Sequence, residues 1–284
     1  MGEELPLWLD DRLLTGTDAR ELATVSVHDA GLRSGLGVFE TFRAHGVATL
    51  AGDRHVARLL ASAERLGIRI GREQVERALD LTLSAPRRPH EVVVRITLTA
   101  GPVATDTWPA LPVGTPTLVV ALHPAPALPL PPACARTVEA RRWPADVKST
   151  SYLASMLALR EARAAGADTA VLRDRDELLE SAEGNLVAVV DGGLVTPPAD
   201  GRILSGVTRA LVLEEGRRIG LRCSERPLRS ADVDGAEALV VTSAVSGLRT
   251  VRELDGRRVA GSDADGAPHP AVAELRALLE QRRG

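Results

Sequence analysis

The stretch PADVKSTSYLAS, residues 144–155, holds Lys148, the only lysine of the chain, and Tyr152, the only tyrosine. The chain has 35 basic Lys and Arg residues, so the other 34 are arginine. Arginine supplies positive charge with a planar fork of donors. Lysine adds an amine whose pKa can fall on burial and that condenses with a carbonyl to a Schiff base. The lone lysine reads either as a reactive amine or as a remnant in a chain rich in Ala, Arg and Gly, and its surroundings have to decide.

Lys148 ends an extended segment just before a helix, TSYLASMLALREARAAG, which stops at Gly166. Tyr152 falls on its first turns. It is placed either to hydrogen-bond a group held by the lysine or to pack as an amphipathic core residue. Upstream, HPAPALPLPPA (residues 123–133) holds five prolines and is neither helix nor central strand. It reads as a stiff linker between an N-terminal lobe, residues 1–122, and a C-terminal lobe, residues 134–284, that carries Lys148. In the first lobe, LPLWLDD and ATVSV read as short strands and VFETFRA opens a hairpin that turns at His45-Gly46. The spacing of Val56, Leu59, Leu60, Ala63 and Leu66 predicts a helix over 53–68 with Asp53 as N-cap. A second helix and the strands EVVVRITLT and TPTLVVAL follow. The second lobe alternates helix and strand, with a hairpin at Asp191-Gly192-Gly193. The expected fold class is α+β, two-lobed, with a site in the cleft between the lobes.

Composition narrows the function. A net charge of −3, with arginines interleaved among acids, argues against nucleic acid and anionic membrane as partners. Cys134 and Cys223 are too isolated for a disulfide framework or a zinc site, so no metal is expected. No apolar run reaches membrane-span length and the acidic N-terminus lacks a signal-peptide core. A reducing cytoplasm is the expected compartment.

Three further signals concern charge. Glu180 leads into the apolar strand NLVAVV and needs a partner if buried, such as a ring nitrogen; otherwise it is a surface glutamate. ILSGVTRALVL places Gly206 and Thr208 at a helix start. That is an anion site made of free N–H groups and a hydroxyl, or else a helix capped by Ser205 or Thr208. Arg58, on a helix face in HVARLL, reaches a phosphate or is one solvated arginine among many.

Taken in order, RHVARLLASAERL, VKSTSYLAS, ESAEGNLVAV, TPPADGRILSGVTRALV and VVTSAVSGLRTVRELDG resemble the class-IV aminotransferase family. These are fold type IV pyridoxal-5′-phosphate (PLP) enzymes, including branched-chain and D-amino-acid aminotransferases and 4-amino-4-deoxychorismate lyase. The resemblance spans about residues 24–256. It implies that Lys148 holds the cofactor as a Schiff base and later moves protons. Glu180 pairs with the pyridinium nitrogen. Arg58, the Val207 N–H and Thr208 hold the phosphate, with Ser243 and Ala244 in a second phosphate-side loop. Tyr152 falls near the cofactor's phenolic oxygen. The family is usually homodimeric, and its substrates are small amines or amino acids.

The sequence departs from the family pattern in places. Leu36 stands inside Gly35-Leu36-Gly37 where many members carry Gly-Asp-Gly, and Ala100 stands where many carry arginine. The loop PVATDTWP lacks the basic residues that D-amino-acid enzymes use for the substrate carboxylate. Arg43, Arg95 and Arg141 remain candidates for that role. TSAVSG is closer to the lyase's second phosphate loop than to the transaminases' threonine version. The expected reaction is therefore lyase-like, releasing pyruvate and 4-aminobenzoate. The alternatives are a transaminase, of branched-chain rather than D-amino-acid type, and a catalytically silent binding protein.

Overall fold

A computed structural model describes residues 5–104, 112–260 and 268–282. The chain divides into two compact units, residues 1–125 with 147–151 and residues 126–146 with 152–284. Most of the loop PVATDTWP lies outside the described residues.

In the first unit, β1 (Leu7–Leu9), β2 (Arg12–Leu14), β3 (Gly37–His45), β4 (Ala48–Thr49), β5 (Glu91–Thr99) and β6 (Thr117–Pro124) form one sheet. Its order is β2-β1-β6-β5-β3-β4 and its pairings are antiparallel. Helices α1 (Thr17–Glu21) and α2 (Ala30–Ser34) precede β3; α3 (Gly52–Arg65) and α4 (Arg72–Leu83) separate β4 from β5. Strand alternation puts Val38, Glu40, Phe42 and Ala44 of β3 on one face. Their neighbours there are Val94, Ile96 and Leu98 of β5 and Leu118, Val120 and Leu122 of β6. All are buried. α3 packs on β3 and α4 on β6, burying Val56, Leu59, Val75 and Leu79. Each such side chain contributes about 1.5–3 kcal/mol. The N-cap of α3 is Ala51 at φ 53°, not Asp53. Asp53 is the second residue of the helix, in its first turn, where its charge meets the positive end of the helix dipole.

The segment 147–151 lies along the free edge of β3. The Phe39 N–H donates to the Lys148 carbonyl at 2.9 Å, and the Thr150 N–H to the Gly37 carbonyl at 2.8 Å. The sequence reading assigns Lys148 to the C-terminal lobe, whereas the backbone places it in the first unit. The reason is the obligation of an extended segment to pair its N–H and C=O groups, which the β3 edge satisfies.

The second unit comprises β7 (Ala133–Glu139), α5 (Leu153–Ala164), β8 (Thr169–Asp174), β9 (Glu177–Ser181), β10 (Asn185–Val190) and β11 (Gly193–Thr196). It continues with α6 (Val207–Arg218), β12 (Cys223–Glu225), β13 (Leu228–Arg229), α7 (Ser230–Asp234), β14 (Ala238–Ser243), β15 (Gly247–Leu254), β16 (Arg257–Arg258) and α8 (Pro270–Gln281). The strand order is β12-β11-β10-β14-β15-β7-β8-β9-β13, with β16 on β15. β9 also pairs with β10 at Glu180–Asn185, so the strands from β10 round to β9 close on themselves. Leu178, Leu186, Leu228, Leu239 and Val251 belong to the buried cluster of this unit. The expected hairpin turns at Asp191 (φ 48°) and Gly192 (φ 67°), the positive-φ pair that a two-residue turn requires.

Candidate active site

In the first unit the Lys148 amine lies over the Phe39 ring, 4.6 Å from its centroid, and the Arg95 guanidinium lies 4.0 Å from the same centroid. The Lys148 N–H donates to Ser62 Oγ of α3 at 3.4 Å. Arg95 also donates to Thr41 Oγ1 at 3.3 Å. Arg43 is buried and donates to Glu91 at 2.5 Å, so part of its charge is already answered within the sheet.

Glu40 is one acid on an otherwise apolar strand face and is fully buried. Such a charge persists only when it is paired and hydrogen-bonded. Arg58 of α3 supplies both, with Nε 2.7 Å from Oε1 and Nη2 2.8 Å from Oε2. His55, one turn earlier on α3, brings Nδ1 to 2.8 Å from Oε2 and stacks on Phe42. Burial alone would raise the Glu40 carboxyl, but the His55 hydrogen bond and the Arg58 charge hold it at about 2. Burial lowers the His55 imidazole below its ordinary value, against the pull of Glu40, which favours the neutral ring. One edge of the Arg58 guanidinium is therefore bound to a carboxylate.

In the second unit Glu180 is buried at the end of β9. Arg142 Nε donates to its Oε1 at 2.7 Å. The Leu204 N–H donates to Oε2 at 3.1 Å and Asn185 Nδ2 lies 3.4 Å from the same oxygen. A carboxylate has about four acceptor positions, so these three donors leave room for one more. Arg142 also donates to the Ala145 carbonyl at 2.6 Å. Tyr152 is the N-cap of α5, and its hydroxyl donates to the Ala182 carbonyl. Its proton is therefore committed to the protein, and burial pushes the phenol upward.

Val207 and Thr208 open α6, whose N-cap, Gly206, makes no side-chain capping bond. A Cβ on Gly206 would stand 1.9 Å from Asn185 Oδ1, so the approach to this helix end needs glycine. Ser243 ends β14, and its Oγ accepts from the N–H groups of Val245 and Ser246 at 3.2 and 3.5 Å, shaping the turn that contains Ala244. Arg141 is mostly exposed and pairs with Asp174 at 2.5 Å.

Of the expected residues, Lys148, Arg58, Arg95 and Arg43 belong to the first unit, and Glu180, Tyr152, Val207, Thr208, Ser243, Ala244 and Arg141 to the second. Ala100 is buried at the end of β5, and the Leu36 carbonyl accepts its N–H at 3.1 Å, so the two departures from the family pattern adjoin. Three residues escaped the sequence reading. Glu40 and His55 carried a signal, an acid at an apolar parity of β3 and a histidine three residues before Arg58. Arg142 carried none that set it apart from its neighbour Arg141.

The sequence profile of amino-transferase class IV matches residues 37–254. The chain belongs to this family. It is 33% identical over 267 residues to a candidate branched-chain-amino-acid aminotransferase of Methanocaldococcus jannaschii, covering 89% of each chain. It is 29% identical to a D-alanine aminotransferase of Listeria innocua, covering 94% of this chain and 92% of the other. The PLP-bound form of a hypothetical aminotransferase from Mycobacterium tuberculosis has the same fold, with a TM-score of 0.82, 23% identity and 98% of each chain covered. The two-lobed α+β architecture of fold type IV is thus the fold of this chain. Its residues suit PLP: a single lysine amine, a buried carboxylate with acceptor capacity left, and a helix N-terminus whose close packing needs glycine. No group of His, Cys, Asp and Glu among the described residues could hold a metal ion, and no described helix is long and apolar enough to cross a membrane.

Proposed function

We propose that this class-IV enzyme is a PLP-dependent aminotransferase that moves an amino group between an amino acid and a 2-oxo acid. The observation that carries the reading is the chain's only lysine, fixed by backbone pairing to β3 with its amine over Phe39. PLP supplies a carbonyl for that amine and a ring that accepts the electrons released when a proton leaves the substrate carbon. Lys148 holds the cofactor and then takes and returns that proton. Glu180 offers its remaining acceptor position to the ring nitrogen. Arg58, the first-turn N–H of Val207, Thr208 and the Ser243–Ala244 turn hold the phosphate. Tyr152, whose hydroxyl donates to the Ala182 carbonyl, offers its oxygen to the cofactor as an acceptor. Arg95, whose guanidinium lies over the same Phe39 ring as the Lys148 amine, is the candidate for a substrate carboxylate.

Two of the curated relatives are aminotransferases of the branched-chain and D-alanine kinds, which favours transamination over the lyase reaction expected from TSAVSG. The absence of basic residues from PVATDTWP favours the branched-chain type. The lyase is the second reading, supported by Ser243-Ala244 alone. A substrate panel tests the order. Leucine, isoleucine, valine and D-alanine are each supplied with 2-oxoglutarate, and aminodeoxychorismate is followed by 4-aminobenzoate release. Oxo-acid formation from branched-chain L-amino acids supports transamination. 4-Aminobenzoate without oxo-acid formation replaces it with the lyase. The working form proposed is a cytoplasmic homodimer, for which exposed Trp143, Leu153, Met156 and Leu157 offer apolar surface. Light scattering decides its stoichiometry.

A further inference from the structure

Arg58 is one of many arginines, yet its setting is unlike that of the surface ones. Its Nε/Nη2 edge lies in parallel register with the Glu40 carboxylate, at 2.7 and 2.8 Å. A guanidinium held by such a two-point pair has its plane and heading fixed. Glu40 cannot yield, because the strand fixes its backbone and the carboxylate is fully buried. His55 Nδ1 takes a further position on the carboxylate at 2.8 Å, and the Phe42 ring stacks on the imidazole with centroids 4.7 Å apart. Each member is therefore held by the one behind it: Phe42 aligns His55, His55 aligns Glu40, and Glu40 aligns Arg58.

The geometry points to Glu40 as a positioning residue for the cofactor phosphate, acting through Arg58, with His55 as its lock. The inference rests on the reading that Arg58 binds that phosphate. The clamp uses two of the five N–H donors of a guanidinium and sets the direction of the rest. Its effect on affinity is orientational rather than electrostatic. In charge alone Glu40 opposes phosphate binding, because it neutralises the cation that the phosphate meets.

Orientation and charge therefore predict opposite outcomes. The affinity of full-length apoprotein is measured for PLP and for pyridoxal, which lacks the phosphate, in wild type and in the Arg58→Ala, Glu40→Gln, Glu40→Asp and His55→Gln variants. The quantity read is the dissociation constant for pyridoxal divided by that for PLP, a ratio that isolates the phosphate's share. Arg58→Ala should lower the ratio about ten- to hundredfold, the value of one charge-assisted hydrogen bond. Glu40→Gln replaces one acceptor by a donor facing a donor, and Glu40→Asp falls one methylene short of the two-point pair. Each should lower the ratio at least fivefold, and His55→Gln should lower it less.

A ratio raised by Glu40→Gln would make Glu40 a charge suppressor and overturn the inference. An unchanged ratio, with both ligands weakened alike, would reduce Glu40 to a structural residue, as would failure of both Glu40 variants to fold. If Arg58→Ala itself leaves the ratio unchanged, the phosphate does not lie at Arg58. The underlying reading then falls and the inference with it, an outcome distinct from loss of the Glu40 effect alone.

Discussion

Arg142 Nε lies 2.7 Å from Glu180 Oε1, and both side chains are almost fully enclosed. Removing one partner of a buried pair costs about 3–5 kcal/mol, because the other charge is left without compensation. Arg142→Met should therefore destabilise the protein by that order in urea denaturation. The double variant Arg142→Met/Glu180→Gln should recover part of it. Additive losses in the double variant would show that the two side chains are not energetically coupled.

Glu180→Gln by itself leaves Arg142 without its partner and should also cost stability, so its turnover is measured per folded, PLP-bound molecule. A neutral amide still accepts from Leu204 but cannot balance a protonated ring. Turnover should fall by one to a few decades, about 1.4 kcal/mol of barrier for each. Turnover at the wild-type level with cofactor bound would remove Glu180 from the chemistry.

Lys148→Arg keeps a cation over Phe39 and leaves the main-chain pairing with β3 intact. Stability should stay within about 1 kcal/mol of wild type, while all covalent cofactor attachment is lost. Borohydride reduction followed by peptide mapping should place the pyridoxyl label on Lys148 in the wild type and nowhere in the variant. A label elsewhere in the wild type would refute the assignment.

Acid should destabilise the first unit in two stages. Below pH 6.5 the unfolded His55 takes up a proton that the folded ring resists, since its folded pKa is lowered, so stability falls with pH. Between about 4.5 and 2 the unfolded Glu40 is protonated while the folded carboxyl, held at about 2, is not, and stability falls again. The second stage is worth about 3 kcal/mol. Urea midpoints measured across this range should show it in wild type and a flatter slope in Glu40→Gln. Equal slopes would mean that the pair is not maintained in solution.

Gly206→Ala puts a methyl group 1.9 Å from Asn185 Oδ1. Relief requires Asn185 to leave the Leu204 carbonyl, to which it donates at 2.8 Å, or α6 to shift. Overpacking of this kind costs about 1–3 kcal/mol, and PLP affinity should fall with it. A variant that melts and binds PLP like the wild type would show that the helix end tolerates a side chain.

The parts of the site that could be read from sequence are those whose residue type is scarce or whose local pattern is complete. Lys148 has no competitor, and Gly206 to Thr208 announces a helix start. Glu40 is legible afterwards, because it shares parity with Val38, Phe42 and Ala44. Its partners are fifteen and eighteen residues away on α3, and strand alternation alone does not name them. The role of Arg142 depends on its meeting Glu180 across 38 positions, which no local period encodes. The same holds for the unit to which Lys148 belongs. VKST reads as extended chain, but which edge it pairs with is decided by tertiary structure more than a hundred residues upstream.

That pairing bears on how the protein is made. A chain leaves the ribosome N-terminus first at about 5–20 residues per second. When Ala125 has emerged, β3 has β5 on one side but still lacks the strand that flanks Gly37 and Phe39 on the other. For a few seconds those backbone groups stay open, on a strand whose unpaired edge is a template for aggregation. A fragment ending at residue 125 never closes that edge and should precipitate or demand a chaperone. Extending it to Ser151 supplies the missing strand, so an N-terminal piece is expected to stay soluble only when it includes the lysine.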